Sequence, residues 1–205
     1  MGVQGFEGEV SRIAEKLTQE SQPFHVLGYS MGSRVALGLA LRYPSVVGRL
    51  TLVGVNPGLT NESDRRARAR WEAEWIELLR QSSIEEFERK WSALPLFQTQ
   101  SQLTTPEARA KQRQIRRSHC PAGLAVALET LGLASMPNLW PELVHIEVPT
   151  LLVVGEHDPK FRAIADAMVE QVPRAQLAVL EGAGHNPLLE APERLRALLE
   201  TVTRP

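Results

Sequence analysis

A chain of 205 residues with a formal net charge of −1 fits one domain with an insertion, and it carries no field that would select nucleic acid or an anionic membrane surface. Its composition, 43% hydrophobic and 23% charged, is that of an ordinary globular protein, and no apolar run reaches the length of a membrane span. The single cysteine, Cys120, excludes an intrachain disulfide and fits a reducing compartment; no signal pattern opens the chain, so the cytoplasm is the expected location. Phe6, Val10, Ile13 and Leu17 recur at helical spacing and predict a helix over 7–20. Residues 24–29 read as a short buried strand, 31–42 as an Ala- and Leu-rich helix, and 48–55 as the next strand, broken by Asn56-Pro57-Gly58. From 59 to 147 the spacing is helical and the charge density high. Strand signal returns in "TLLVVGEHD" after Pro149, then a helix at about 160–171, the strand "AQLAVLE", a glycine loop "GAGH" and a last helix from Pro192. Alternating strands and helices predict an α/β fold, a mostly parallel sheet with helices on both faces. The long helical stretch predicts a lid over the carboxyl ends of the strands, where such sheets bind ligands.

Ser30 stands where the period changes from strand to helix, within Gly28-Tyr29-Ser30-Met31-Gly32. The two glycines are expected to let strand and helix approach closely and to drive the hydroxyl out of a sharp turn. The pattern is similar to the G-x-S-x-G nucleophile elbow of α/β-hydrolases. A serine hydroxyl needs a histidine to take its proton, and the fold orders the partners Ser, acid, His along the chain. His185, in "EGAGHNP" directly after the last strand, is the expected base. His25 and His145 lie in or beside apolar segments, His119 is in the lid and His157 precedes an acid. Asp158, a short loop after its strand, is the expected acid, with Glu156 as fallback; its role is to fix the imidazole tautomer and stabilise the imidazolium. The amide N–H of Met31 is expected to form half of an oxyanion hole.

"VLGYSMGSRVAL", "NPGL", "RRSH..AGLAVALE", "GEHDPKFRAIA" and "GAGHNPLLEAPE" together resemble the 2-succinyl-6-hydroxy-2,4-cyclohexadiene-1-carboxylate synthase family of menaquinone biosynthesis, from about residue 20 to the C-terminus. The resemblance implies a lyase on a hydrolase scaffold. Its serine triad acts as a base, abstracting a proton so that pyruvate leaves a polycarboxylate cyclohexene substrate. No cofactor or metal is implied. The expected partner is that small molecule, with no nucleic acid or membrane. Several carboxylates call for fixed cations. Arg34 lies one turn after Ser30 in a nearly apolar helix, a costly place for a charge unless it faces a polar pocket. Arg68 falls on the stripe of Trp71, Trp75, Leu78 and Leu79, whereas Arg65, Arg66 and Arg70 read as a solvated face. The resemblance points to Arg117 as a further substrate arginine, with neighbouring Arg116 able to substitute, and to Tyr29, Trp91, Phe97 and Phe161 in the pocket.

The sequence departs from the fold at its front. Only 29 residues precede Ser30, with no His-Gly among them, where the fold expects several strands and a second oxyanion donor. At typical strand and loop lengths roughly sixty or more residues are wanting. The expectation is therefore a truncated hydrolase core at 1–55 and 148–205, the lid at 56–147, and a nucleophile strand left as an apolar edge open to self-association. Weakened turnover is expected with it, since one oxyanion donor is worth about 3 to 4 kcal/mol. Two other functions remain open at this point: a carboxylester or C–C bond hydrolase working through an acyl-enzyme, and a non-catalytic remnant.

Overall fold

The structure, a computed structural model, describes residues 5–20 and 23–203. In chain order, α1 (Gly5–Leu17) leads into β1 (Phe24–Tyr29), α2 (Met31–Arg42) and β2 (Val47–Val53). Five helices follow: α3 (Glu62–Gln81), α4 (Ile84–Ser92), α5 (Gln100–Leu103), α6 (Pro106–Arg117) and α7 (Pro121–Leu131). Then come β3 (Thr150–Gly155), α8 (Pro159–Val169), β4 (Ala175–Leu180), the short α9 (Pro187–Glu190) and α10 (Pro192–Thr203). The strands form one parallel sheet in the order β1-β2-β3-β4. Parallel neighbours need crossover connections, which α2, the five-helix insertion and α8 supply.

The α/β pattern read from the sequence is the pattern found, with boundaries shifted by one to three residues. α1 ends at Leu17, leaving the polar residues 18–20 outside the helix. β2 stops at Val53 because Gly54 turns the chain at φ 61°, a region open to glycine. Alternating strand side chains feed two cores. Leu50, Leu52, Leu152 and Val154 pack on Phe6 and Val10 of α1, Leu39 of α2 and Met168 of α8. On the opposite face Val53, Leu151, Val153 and Leu180 take Leu195 of α10. Helices thus cover both faces, and β3 is buried along its length, as its unbroken apolar run requires. β1 pairs with β2 alone among the described residues, and Leu27 on it is 41% exposed.

The insertion has a core of its own. Leu79, Phe87 and Ala125 are buried against Trp75, Trp91 and Leu128. Its two ends are fastened to each other. Trp140 Nε1 donates to the Gly58 carbonyl at 3.1 Å, and the Leu139 amide donates to the Pro57 carbonyl at 2.8 Å. Arg65 corrects one expectation: its guanidinium donates to the carbonyls of Ala134 and Met136 at 2.8 and 2.9 Å, so it is a tether and not part of a solvated face. Arg66 is exposed, loosely paired with Glu62. No helix among the described residues is long and apolar enough to cross a membrane.

Candidate active site

The turn between β1 and α2 places the serine. A Cβ on Gly28 would lie 2.5 Å from the Gly32 carbonyl oxygen and 2.6 Å from Ser33 Cα, so only glycine admits helix and strand this close. Gly32 differs from expectation: a Cβ there would meet nothing within 4 Å, and the close approach rests on Gly28. Ser30 takes φ 50°, ψ −111°, the one positive φ outside glycine among the described residues. Hydrogen bonds hold this unfavourable turn. The Ser30 amide donates to the Val53 carbonyl at 2.8 Å, and the buried Ser33 hydroxyl reaches the carbonyls of Gly28 (2.7 Å) and Val53 (2.8 Å). Met31 opens α2, where the first amide N–H groups have no intrahelical acceptor.

The three residues expected from loop order converge. His185 Nε2 lies 3.2 Å from Ser30 Oγ, and His185 Nδ1 lies 2.7 Å from Asp158 Oδ2. A carboxylate can only accept, so Nδ1 carries the proton and Nε2 is left to accept from the serine hydroxyl. Both His185 and Asp158 are buried. Asp158 sits at the N-terminus of α8, where its Oδ1 faces the Phe161 amide at 3.4 Å. The fallback Glu156 is engaged elsewhere, accepting the Gly182 amide at 2.9 Å. Three rings wall the imidazole: Phe161, Tyr29 and Phe97, with centroids 4.4, 5.6 and 6.3 Å away. Gly54 closes a further side, where a Cβ would lie 2.9 Å from His185 Cε1. Burial pushes the Tyr29 hydroxyl above its usual range, so it stays a neutral donor.

Glu190 was not legible as part of this site. It is a buried carboxylate whose Oε2 accepts the amides of Gly184 (2.8 Å) and Asn186 (3.0 Å), one on each side of His185. Its Oε1 accepts the Thr99 hydroxyl at 2.5 Å. Removing this acceptor leaves two buried N–H groups unsatisfied. Glu190→Ala is therefore expected to destabilise the chain by about 2 to 6 kcal/mol in urea unfolding, at about 1 to 3 kcal/mol per group. Glu190→Gln keeps an acceptor and should lose less than half as much; equal losses would show that the amides find other partners.

The expected cations divide into two kinds. Arg34 is 9% exposed and forms no ion pair among the described residues; its Nη1 lies 3.8 Å from Met136 Sδ. Burial lowers its pKa to about 10, with Arg68 adding to the effect and Glu72 opposing it. Arg68 lies over the Trp71 ring at 4.2 Å and pairs with Glu72 at 2.7 Å. Glu72, a second residue missed in the sequence, also accepts the Leu133 and Ala134 amides at 2.7 and 3.3 Å. On α6 the geometry favours Arg116 over Arg117. Arg117 is half-exposed and turned onto Glu88 at 3.0 Å. Arg116 is held by Ser92 Oγ at 2.6 Å and lies 5.0 Å over the Phe97 ring. Burial lowers its pKa, with Glu88 and Tyr29 opposing. Trp91 stacks in a cluster with Trp75 and Phe87 and touches the site side through Phe97. Among the described residues no group of His, Cys, Asp and Glu could hold a metal ion.

Residues 4–198 match the model of the alpha/beta hydrolase family. A putative 2-succinyl-6-hydroxy-2,4-cyclohexadiene-1-carboxylate synthase of Bacillus subtilis (strain 168) is 34% identical over 90% of this chain and 67% of its own length. The synthase of that name from Enterobacter sp. (strain 638) is 33% identical over the whole chain and 76% of its own length. Among solved structures, MenH from S. aureus superposes with a TM-score of 0.93 at 32% identity, over 96% of this chain and 74% of that one. A thermophilic esterase from Thermogutta terrifontis, solved with malate bound, gives 0.77 at 26% identity over 98% and 73%. The chain belongs to the alpha/beta hydrolase family and, within it, to the 2-succinyl-6-hydroxy-2,4-cyclohexadiene-1-carboxylate synthases.

Proposed function

We propose that the chain works as a pyruvate-eliminating lyase, forming 2-succinyl-6-hydroxy-2,4-cyclohexadiene-1-carboxylate with Ser30, His185 and Asp158 as its base. Ser30 Oγ takes a proton from a ring carbon as its own proton passes to His185 Nε2. Asp158 balances the imidazolium. The electron pair released at carbon forms a ring double bond and expels the enolate of pyruvate; that enolate takes up one proton, which balances the one abstracted, and a cyclohexadiene remains. The Met31 amide meets negative charge developing on the substrate, and Phe161, Tyr29, Trp91 and Phe97 give the ring an apolar wall. The helical insertion at 56–147 serves as the lid of this site, between hydrolase-core segments at 1–55 and 148–205.

The observation that carries this reading is Arg34: a buried guanidinium without an ion pair, on the helix that carries Ser30. A site for neutral esters has no use for such a charge, whereas a polycarboxylate supplies its missing partner. Arg68 and Arg116 extend the cationic lining. The test is the reaction itself. Incubation with the enolpyruvyl cyclohexene substrate should release pyruvate in equal measure with cyclohexadiene. A burst of alcohol from a neutral ester, with no pyruvate released, favours the acyl-enzyme hydrolase instead. No turnover of either leaves a non-catalytic remnant.

Among the described residues one edge of β1 has no strand partner, and this supports a second copy of the chain as a partner. An unpaired strand edge beside exposed Leu27 invites pairing. Sedimentation is expected to give a mass that rises with concentration, and Leu27→Lys to return it to that of one chain. A constant single-chain mass refutes the association. Cys120, exposed and unpaired by any disulfide, fits a cytoplasmic setting.

A further inference from the structure

A hollow of about 460 Å³ opens between α4, the segment at 97–102 and α6, within the size range of small-molecule sites. It shares Phe97 and Arg116 with the candidate active site, but no triad residue lines it. Its charge comes from α6. Residues four and three apart share a helix face, and Arg109, Arg113 and Arg116 all line the hollow. Arg109 Nη1 donates to the Thr104 carbonyl, and Arg116 Nη1 donates to Ser92 Oγ. The Arg113 guanidinium makes no hydrogen bond or ion pair with any described residue. The single acid in the wall is already used: Glu88 is buried, paired with Arg117 through Oε2 and accepting the Ser92 hydroxyl at 2.6 Å through Oε1. Across from α6 stands Gln100, 5% exposed, whose amide nitrogen has no acceptor. Buried amide groups without a partner are rare in finished interiors.

We propose that this hollow is a second carboxylate pocket, holding a small organic acid on Arg113, with Arg109 and Arg116 flanking it and the Gln100 amide as a neutral donor. Three guanidiniums on one helix face repel one another unless an anion lies among them, and the wall offers none that is free. Guanidinium groups match carboxylates in shape as well as charge. The pocket needs no chemistry and stands whether or not the triad turns over. Two sources share the required chemistry: a polycarboxylate on its way to the site, and a keto acid on its way out. Succinate and pyruvate serve as the respective probes.

The titration uses the Arg34→Met chain, which lacks the buried cation of the main site. Succinate is added and followed by calorimetry and by the side-chain amide signals of ¹⁵N-labelled protein. Saturable binding is expected, with the Gln100 amide signal among those that move. Adding Arg113→Gln should weaken binding at least tenfold. Arg66→Gln, which removes an equal but exposed charge from α3, should change it less than twofold. Tighter succinate than pyruvate assigns the pocket to the incoming substrate, and the reverse order to the released acid. The proposal is overturned if neither acid saturates, or if Arg113→Gln does no more than Arg66→Gln.

Discussion

Replacing Ser30 by alanine is expected to cut pyruvate release at least about a thousandfold, since groups that act as a unit fail together when one is lost. The geometry gives the reason. His185 Nε2 has the Ser30 hydroxyl at 3.2 Å, and its other nitrogen is committed to Asp158. Walled by Phe161, Tyr29 and Phe97, the imidazole has no other hydroxyl of the described residues in hydrogen-bond contact with it. Folding should not suffer. Alanine at φ 50° is no more strained than serine, and the bonds that hold the turn come from the Ser30 backbone and from Ser33. Circular dichroism and the unfolding midpoint should match the parent, while a lactate-dehydrogenase-coupled assay reads the pyruvate. Retention of more than a tenth of the rate would mean that another group takes the substrate proton.

Arg34→Met is expected to separate the two kinds of substrate. A hydrogen bond to a charged group is worth about 1.5 to 3 kcal/mol, so kcat/KM for the polycarboxylate should fall about tenfold to a hundredfold. Hydrolysis of a neutral acetate ester, which has no carboxylate to offer, should stay within threefold. The chain itself should lose no stability. A buried cation without a counter-ion contributes little to folding, and an apolar side chain of similar length replaces it at no penalty. Arg68→Met should lower the same ratio but also unfold more readily, because Glu72 would lose its ion pair. If Arg34→Met slows ester and polycarboxylate alike, the arginine holds the triad and not the substrate.

The sheet and the meeting of Ser30, Asp158 and His185 were legible because each rests on local chemistry. Periodicity places strands and helices, and Ser30, Asp158 and His185 each follow a strand by a short loop, so their order along the chain almost determines their meeting. The arginines were harder. Arg65 and Arg68 are three residues apart on α3, and helical spacing cannot tell that Arg65 caps the carbonyls of Ala134 and Met136. Arg116 and Arg117 are neighbours, and their roles divide on the position of Glu88 and Ser92 in a different helix. Glu72 and Glu190 carry no pattern at all. Their function lies in backbone amides distant in sequence or folded back upon them, and a carboxylate that caps a loop looks in one dimension like any acid on a helix.

The turn at Ser30 has a consequence for any attempt to improve this chain by selection. A residue other than glycine at φ 50°, ψ −111° gives up about 1 to 3 kcal/mol of folding free energy. Glycine there would recover part of it, so Ser30→Gly should raise the unfolding midpoint by a few degrees as it removes the hydroxyl proposed to take the substrate proton. A library screened for heat resistance or expression alone will therefore drift towards inactive chains at this one position. Serine is retained there only under a screen that also asks for turnover, and a Ser30→Gly chain no more stable than its parent would show that the turn is unstrained.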